Sequence, residues 1–149
     1  MTDVIVRRAS RGEYSHLTQI WLDAWQSAGL AHPNDLAFDE LLELFALKAE
    51  TEWDLHVAEF EGEASGFLAL KKAEKKIDQL FIAPAWQRLG LGSHLLSIAK
   101  DSLPNGAWLR TAEQNRKAIA FYENAGFVFN RREFRPDYGR FDVYLKWIP

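Results

Sequence analysis

Leu80-Phe81-Ile82-Ala83-Pro84-Ala85-Trp86-Gln87-Arg88-Leu89-Gly90-Leu91-Gly92-Ser93 is the stretch whose reading decides the fold. It opens as an apolar strand-like run that Pro84 stops, turns through two glycines two residues apart, and enters an amphipathic helix expected over 93–102. A strand, a glycine turn and a helix start in that order make an anion site. The first-turn amides lack intrahelical acceptors, and the helix dipole adds positive potential. Two familiar phosphate loops are excluded: no Lys-Ser or Lys-Thr pair follows Gly92, and there is no third glycine set in a first parallel βαβ unit. On its own spacing the turn reads first as a tight strand-to-helix connection, and its flanks must decide whether it is more.

Composition limits those flanks. With 149 residues, 48% hydrophobic and 13% aromatic, the chain has room for one core, and a single domain over 1–149 is expected. A net charge of -3 gives no electrostatic reason to expect nucleic acid or an anionic membrane as partner. Without cysteine there is no disulfide, thiolate nucleophile or thiolate metal site. The four histidines, His16, His32, His56 and His94, show no metal-ligand spacing, so no metal is expected. The N-terminus has no apolar signal-like stretch and no run approaches membrane-spanning length, so a cytoplasmic location is expected.

Outward from the turn, the periodicity predicts further elements. Val4 to Arg8 is β-rich, and Ser10-Arg11-Gly12-Glu13 has the form of a capping box. A helix from about Glu13 to Ala28 then aligns Leu17, Ile20, Trp21, Ala24 and Trp25 on one face, and Gly29 ends it. A second helix over 38–49 carries Leu41, Leu42, Phe45 and Leu47. Leu55 to Phe60 and Ala64 to Leu70 form a hairpin about Glu61-Gly62, and the solvated turn at 71–75 leads into a strand over 77–83. Beyond the helix at 93–102 come a strand at 107–111, a helix from Asn115 to Asn124 that Gly126 stops, and closing strands at 127–134 and 141–147. Asn115 suits the N-cap of its helix, and Tyr122, two turns on, shares its face.

Together, the Leu-Phe-Ile-Ala-Pro strand, the Gln-x-x-Gly-x-Gly turn, and Asn115, Ala118, Phe121-Tyr122 and Gly126-Phe127 at their spacing resemble the GCN5-related N-acetyltransferase (GNAT) family. The likeness is close over 76–130, and element order extends it over nearly the whole chain. It implies an α/β (α+β) domain: a central, mixed, mostly antiparallel sheet of about seven strands, splayed between the fourth and fifth, with about four helices. The implied activity is direct transfer of an acetyl group from acetyl-CoA to a primary amine of a small molecule or a peptide, and dimers are frequent in the family. The alternative is a non-catalytic acyl-CoA-binding or interaction module.

The resemblance also assigns residues. Gln87, Arg88, Leu89, Gly90, Leu91, Gly92 and Ser93 would wrap the pyrophosphate. Leu80, Phe81, Ile82 and Ala83 would lie on a bulged strand that offers main-chain groups to pantetheine, with amides near Phe81 polarising the thioester. Asn115 would touch the pantetheine arm, and Tyr122 would protonate the leaving thiolate. An ammonium of pKa about 10.4 must lose its proton before attack. Where some members carry a Glu on the strand at 107–111, this chain has Arg110, so Asp78 and Glu113 stand as candidate bases. Trp25, Leu30, His32 and Tyr138 are expected on the acceptor side, where Asp137 or Asp142 would suit a cationic acceptor.

Overall fold

The computed structural model describes residues 4–149. Seven strands, β1 Val4–Arg8, β2 Asp54–Phe60, β3 Glu63–Lys71, β4 Lys76–Ile82, β5 Ala107–Ala112, β6 Val128–Arg135 and β7 Arg140–Trp147, form one sheet in the order β1-β2-β3-β4-β5-β7-β6. Every neighbouring pair is antiparallel except β4 and β5, which run parallel and meet only at Lys76 and Trp108. Four α-helices, α1 Tyr14–Ser27, α2 Phe38–Thr51, α3 Leu91–Ser102 and α4 Arg116–Asn124, cover its two faces. None of these helices is long and apolar enough to cross a membrane.

Each face of the sheet has its own core. On one side α1 and α2 bring Leu17, Ile20 and Phe45 onto Val57, Phe67 and Ala69; on the other α3 and α4 bring Leu91, Leu95 and Tyr122 onto Leu68, Leu70 and Leu109. Fully burying one such Leu or Phe contributes about 1.5–3 kcal/mol. Helix α2 corrects the expectation for Leu47, which is 60% exposed while Leu41 and Phe45 are buried. Leu47 lies two residues, about 200°, round the helix from Phe45. The Ser10-Glu13 box caps a 3-10 turn (Arg11–Glu13) that leads into α1, with the Glu13 carboxylate accepting from the Ser10 amide at 2.9 Å.

The β3–β4 ladder positions the site. Ala69 faces Gln79 and Leu70 faces Ile77, so Asp78 is the extra residue of a β-bulge. That bulge comes before the Leu80 to Ala83 run, where it was expected. It changes the parity of β4: Ile77, Leu80 and Ile82 all face the α3/α4 core, whereas Phe81 faces the α1/α2 core. Beyond Lys76 β4 and β5 are no longer paired, and Ala118 and Tyr122 of α4 line the gap between them.

Candidate active site

The open edge of β4 has a defined hydrogen-bonding phase. Ala83 donates to the Ser65 carbonyl at 2.8 Å, which makes Ile82 and Gly66 a non-hydrogen-bonded pair in an antiparallel ladder. By alternation, the main chains of Phe81 and Gln79 bond to β3, and those of Leu80 and Ile82 point into the gap. The amides that face the gap therefore flank Phe81. Gln87, through Nε2, donates to the Ile82 carbonyl at 3.0 Å and covers that end of the edge.

At the turn, Arg88 and Gly90 both take left-handed conformations, with φ of 68° and 84°. The first bond of α3 runs from the His94 amide to the Gly90 carbonyl at 3.1 Å, so the amides of Leu91, Gly92 and Ser93 have no intrahelical acceptor. The two glycines do different work. Gly90 allows the left-handed turn, and a Cβ there would meet nothing within 4 Å. At Gly92 a Cβ would stand 3.3 Å from Phe121 Cζ, so its absence lets α3 lie close against α4.

Two cavities meet along this edge. One, of about 620 Å³, runs past the turn and is lined by Leu80, Phe81, Ile82, Gln87, Arg88, Gly90, Leu91, Gly92, Ser93, Asn115 and Tyr122. Arg88, Arg116 and Lys117 give this wall three cations and no carboxylate, a setting that favours a polyanion. The other, of about 500 Å³, opens on the far side between Trp25, Asp78, Arg110, Tyr138 and Asp142. Trp25, Leu80, Phe81, Asn115, Ala118 and Tyr122 line both, so they are two halves of one groove.

Tyr122 stands at the junction, 7% exposed and edge-on to Phe121 and Phe127. Burial pushes its hydroxyl above the ordinary tyrosine range, so it keeps its proton. Asn115 caps α4, its Oδ1 accepting from the Ala118 amide at 3.4 Å, and lines the groove as well.

Several sequence-predicted residues lie elsewhere. Ala83 and Leu89 line neither cavity: Ala83 gives its amide to β3, and Leu89 projects outward, 45% exposed. Glu113 also lies outside; its carboxylate takes Arg132 in two bonds of 2.7 and 2.8 Å, which hold it below the ordinary glutamate range. Asp78 lines the far cavity but is engaged. Burial raises its pKa, yet a 2.8 Å bond from Trp53 Nε1 and the Lys76 ammonium at 3.0 Å outweigh this and leave it below its usual value. Neither carboxylate has the raised pKa or free oxygen that a base near neutral pH needs.

On the acceptor side, Trp25 lines both cavities, Leu30 the first and Tyr138 the second. His32 lines neither; it sits edge-on to Tyr138 at 5.3 Å, and its Nδ1 accepts from the Asn34 amide. Asp142 is unavailable to a cationic acceptor, because Arg135 and Arg140 donate to it at 3.0 and 3.2 Å and Arg110 approaches at 3.6 Å. Asp137 lies outside the cavity walls and is exposed. Sequence reasoning missed Asp35, which accepts from Trp25 Nε1 at 3.0 Å and from the His32 amide at 2.9 Å on the far-cavity wall. The one local signal was its place in the His-Pro-Asn-Asp loop after α1.

Comparison with known proteins gives this geometry its context. A probable N-acetyltransferase of Mycobacterium tuberculosis is 34% identical over 88 residues, which cover 55% of this chain and 51% of that protein; the chain thus spans about half the length of the curated relative it matches. Among solved structures, the apo form of YjaB from Escherichia coli superposes with a TM-score of 0.74 at 26% identity, covering 97% of both chains. The PaiA N-acetyltransferase of Thermoplasma acidophilum, solved in complex with coenzyme A, superposes with a TM-score of 0.75 and covers 99% of both chains; at 18% identity it shares the fold. The sequence profile of the Acetyltransferase (GNAT) family matches residues 14–127, and with most of the chain inside that match, this protein belongs to the acetyltransferase (GNAT) family.

Proposed function

We propose that the protein transfers the acetyl group of acetyl-CoA directly to a primary amine. The observation that carries this reading is the parted β4–β5 edge, where the Leu80 and Ile82 main chain faces a groove running from the Arg88–Ser93 turn to the Tyr122 hydroxyl. A neighbour of the same fold holds coenzyme A. The residues present fit such a donor: free amides and three cations for its pyrophosphate, and an unpaired strand edge for its amide-bearing arm.

Bound there, acetyl-CoA supplies an activated acyl group as a thioester. The Leu80 amide would donate to the carbonyl oxygen where negative charge grows during attack, and the Ile82 amide, about 7 Å further along the same edge, would be left for the amide-bearing arm. The amine nitrogen forms its bond to the acyl carbon as the carbon–sulfur bond breaks. Tyr122, kept protonated by burial, donates its hydroxyl proton toward the departing sulfur. With Asp78 and Glu113 both engaged, the ammonium loses one proton to water in the open groove before attack; once the carbon–nitrogen bond has formed the nitrogen gives a second proton to water, and solvent restores the Tyr122 proton.

A thiol-release assay with acetyl-CoA and a panel of amines and peptides tests the reading. Amine-dependent thiol release is expected, and Tyr122→Phe should slow turnover about 10²-fold or more while leaving acetyl-CoA affinity unchanged. An unaltered rate in that variant removes the proton-donor role. The absence of a placed carboxylate base among the described residues favours one second reading, a non-catalytic acyl-CoA-binding module. Acetyl-CoA binding without thiol release from any acceptor would establish that module instead.

A further inference from the structure

The far cavity has a charge that the rest of the chain does not. The whole protein carries -3, yet this wall holds six cations, Lys48, Lys71, Lys76, Arg110, Arg135 and Arg140, against three carboxylates, Asp35, Asp78 and Asp142. The lysines are matched by neighbours: Lys76 by Asp78 at 3.0 Å, and Lys48 and Lys71 by Glu52 at 3.3 and 3.4 Å. The arginines are not. Three guanidiniums share the single Asp142 carboxylate, which is 3% exposed, while the side chains of Arg110, Arg135 and Arg140, all on the cavity wall, remain 39%, 26% and 13% exposed.

We infer that the acceptor amine carries an anionic group, a carboxylate or phosphonate, that Arg110, Arg135 and Arg140 hold at the end of the far cavity. Three guanidiniums offer fifteen N–H donors, and Asp142 accepts from only two of the three at hydrogen-bond distance, so donors are left for a ligand and, against Asp142 and Asp35 together, about one positive charge. Arg140 is also held in direction, its guanidinium carbon 4.8 Å from the Tyr138 ring centre and 5.1 Å from that of Trp25. A fork already fixed by stacking loses little freedom when it takes a planar anion. A cavity of about 500 Å³ that also contains Leu80, Phe81 and Tyr122 suits a small molecule with an amine at one end and an anion at the other. A polyamine would place cations against this wall.

This inference rests on the groove being the transfer site, and its test keeps the two apart. Acetyl transfer is measured for L-amino acids, their uncharged carboxamides, aminoalkyl phosphonates and linear polyamines. The carboxylate or phosphonate member of a pair should exceed its neutral partner in kcat/KM by about 10- to 100-fold. In Arg110→Gln the ratio should fall toward one, a change that a general loss of structure, lowering both members together, would not produce. Arg135→Gln repeats the test should Arg110→Gln fold poorly. Neutral amines or polyamines turned over as well as the anionic ones would overturn the inference while leaving the transferase reading intact. Calorimetric titration of the same pairs into the protein with coenzyme A gives a second readout independent of turnover. Anion-selective binding without thiol release would support the arginine anion site and sink the transferase reading; unselective binding, or none, would overturn the inference.

Discussion

Substituting Gly92 separates shape from charge at the turn. A Cβ there stands 3.3 Å from Phe121 Cζ and 3.5 Å from Cε1, so Gly92→Ala asks a ring edge to give by a few tenths of an ångström. Alanine also returns about 1 kcal/mol of helix propensity in α3, so Gly92→Ala should change stability by less than about 1 kcal/mol. Gly92→Glu has the same Cβ and adds a negative charge at the helix start. If the donor's pyrophosphate lies on the Leu91 to Ser93 amides, two like charges about 5 Å apart at an effective dielectric constant near 20 repel by roughly 3 kcal/mol. That is about a 100-fold rise in Kd for acetyl-CoA, and it should shrink at high salt. Calorimetric titration of acetyl-CoA into wild type, Gly92→Ala and Gly92→Glu, at low and high salt, reads it directly. Equal affinities in the two variants would refute the assignment of the turn to the pyrophosphate, whatever the fold-family match.

Three further outcomes follow from particular contacts. A Cβ at Gly66 would lie 2.5 Å from Ile82 Cδ1 and 2.8 Å from the Phe81 carbonyl oxygen, so Gly66→Ala must push β3 from β4 and should cost about 1–3 kcal/mol in urea unfolding; an unchanged midpoint would contradict that close approach. Glu13 is held at about 2, first by its hydrogen bonds from Arg7, so its stabilising effect is present above its ordinary pKa and lost as pH falls toward 2. Because Arg7 is about one-third exposed, Glu13→Gln should cost only about 1–2 kcal/mol at neutral pH, and a gap from wild type that persists unchanged at the acid end would refute this. Asp78 and Glu113 are both held ionised below their usual ranges and supply no titration near neutrality, so kcat/KM should rise about tenfold per pH unit below the amine's pKa; a plateau beginning near pH 7 would reveal a base on the protein.

The strand, turn and helix were legible because Pro84 and Gly90 are strong punctuation and the apolar periods on either side are clear. Helix α3 nonetheless starts at Leu91, since the left-handed Gly90 is its cap and the sequence pattern alone does not separate the two glycines. The bulge was not legible at its true position: Leu80-Phe81-Ile82 is continuously apolar, and a run packed against a core on each face carries no phase. The splay of β4 from β5 came from family resemblance alone. The arginine cluster was hidden more deeply. Arg110, Arg135, Arg140 and Asp142 converge because β7 lies between β5 and β6, with Ala112 opposite Asp142 and Arg135 opposite Arg140. Local spacing does not contain that non-sequential order. Asp142 therefore reads in sequence as a surface acid open to a cation, and in the fold as a buried anchor for three.

The extra residue at Asp78 acts as a frameshift within the strand. Before it, an odd-numbered residue, Ile77, faces the α3/α4 core; after it, the even-numbered Leu80 and Ile82 do so and turn their main chain to the gap. Had the same letters paired without the skip, Gln79 and Phe81 would own the open edge, and the Phe81 ring would cross to the layer that holds Tyr122. A relative that moved the skip past Ile82 would keep nearly the same composition and strand length, yet would present the opposite set of amides. In this fold, counting residues along β4 matters as much as knowing which residues they are.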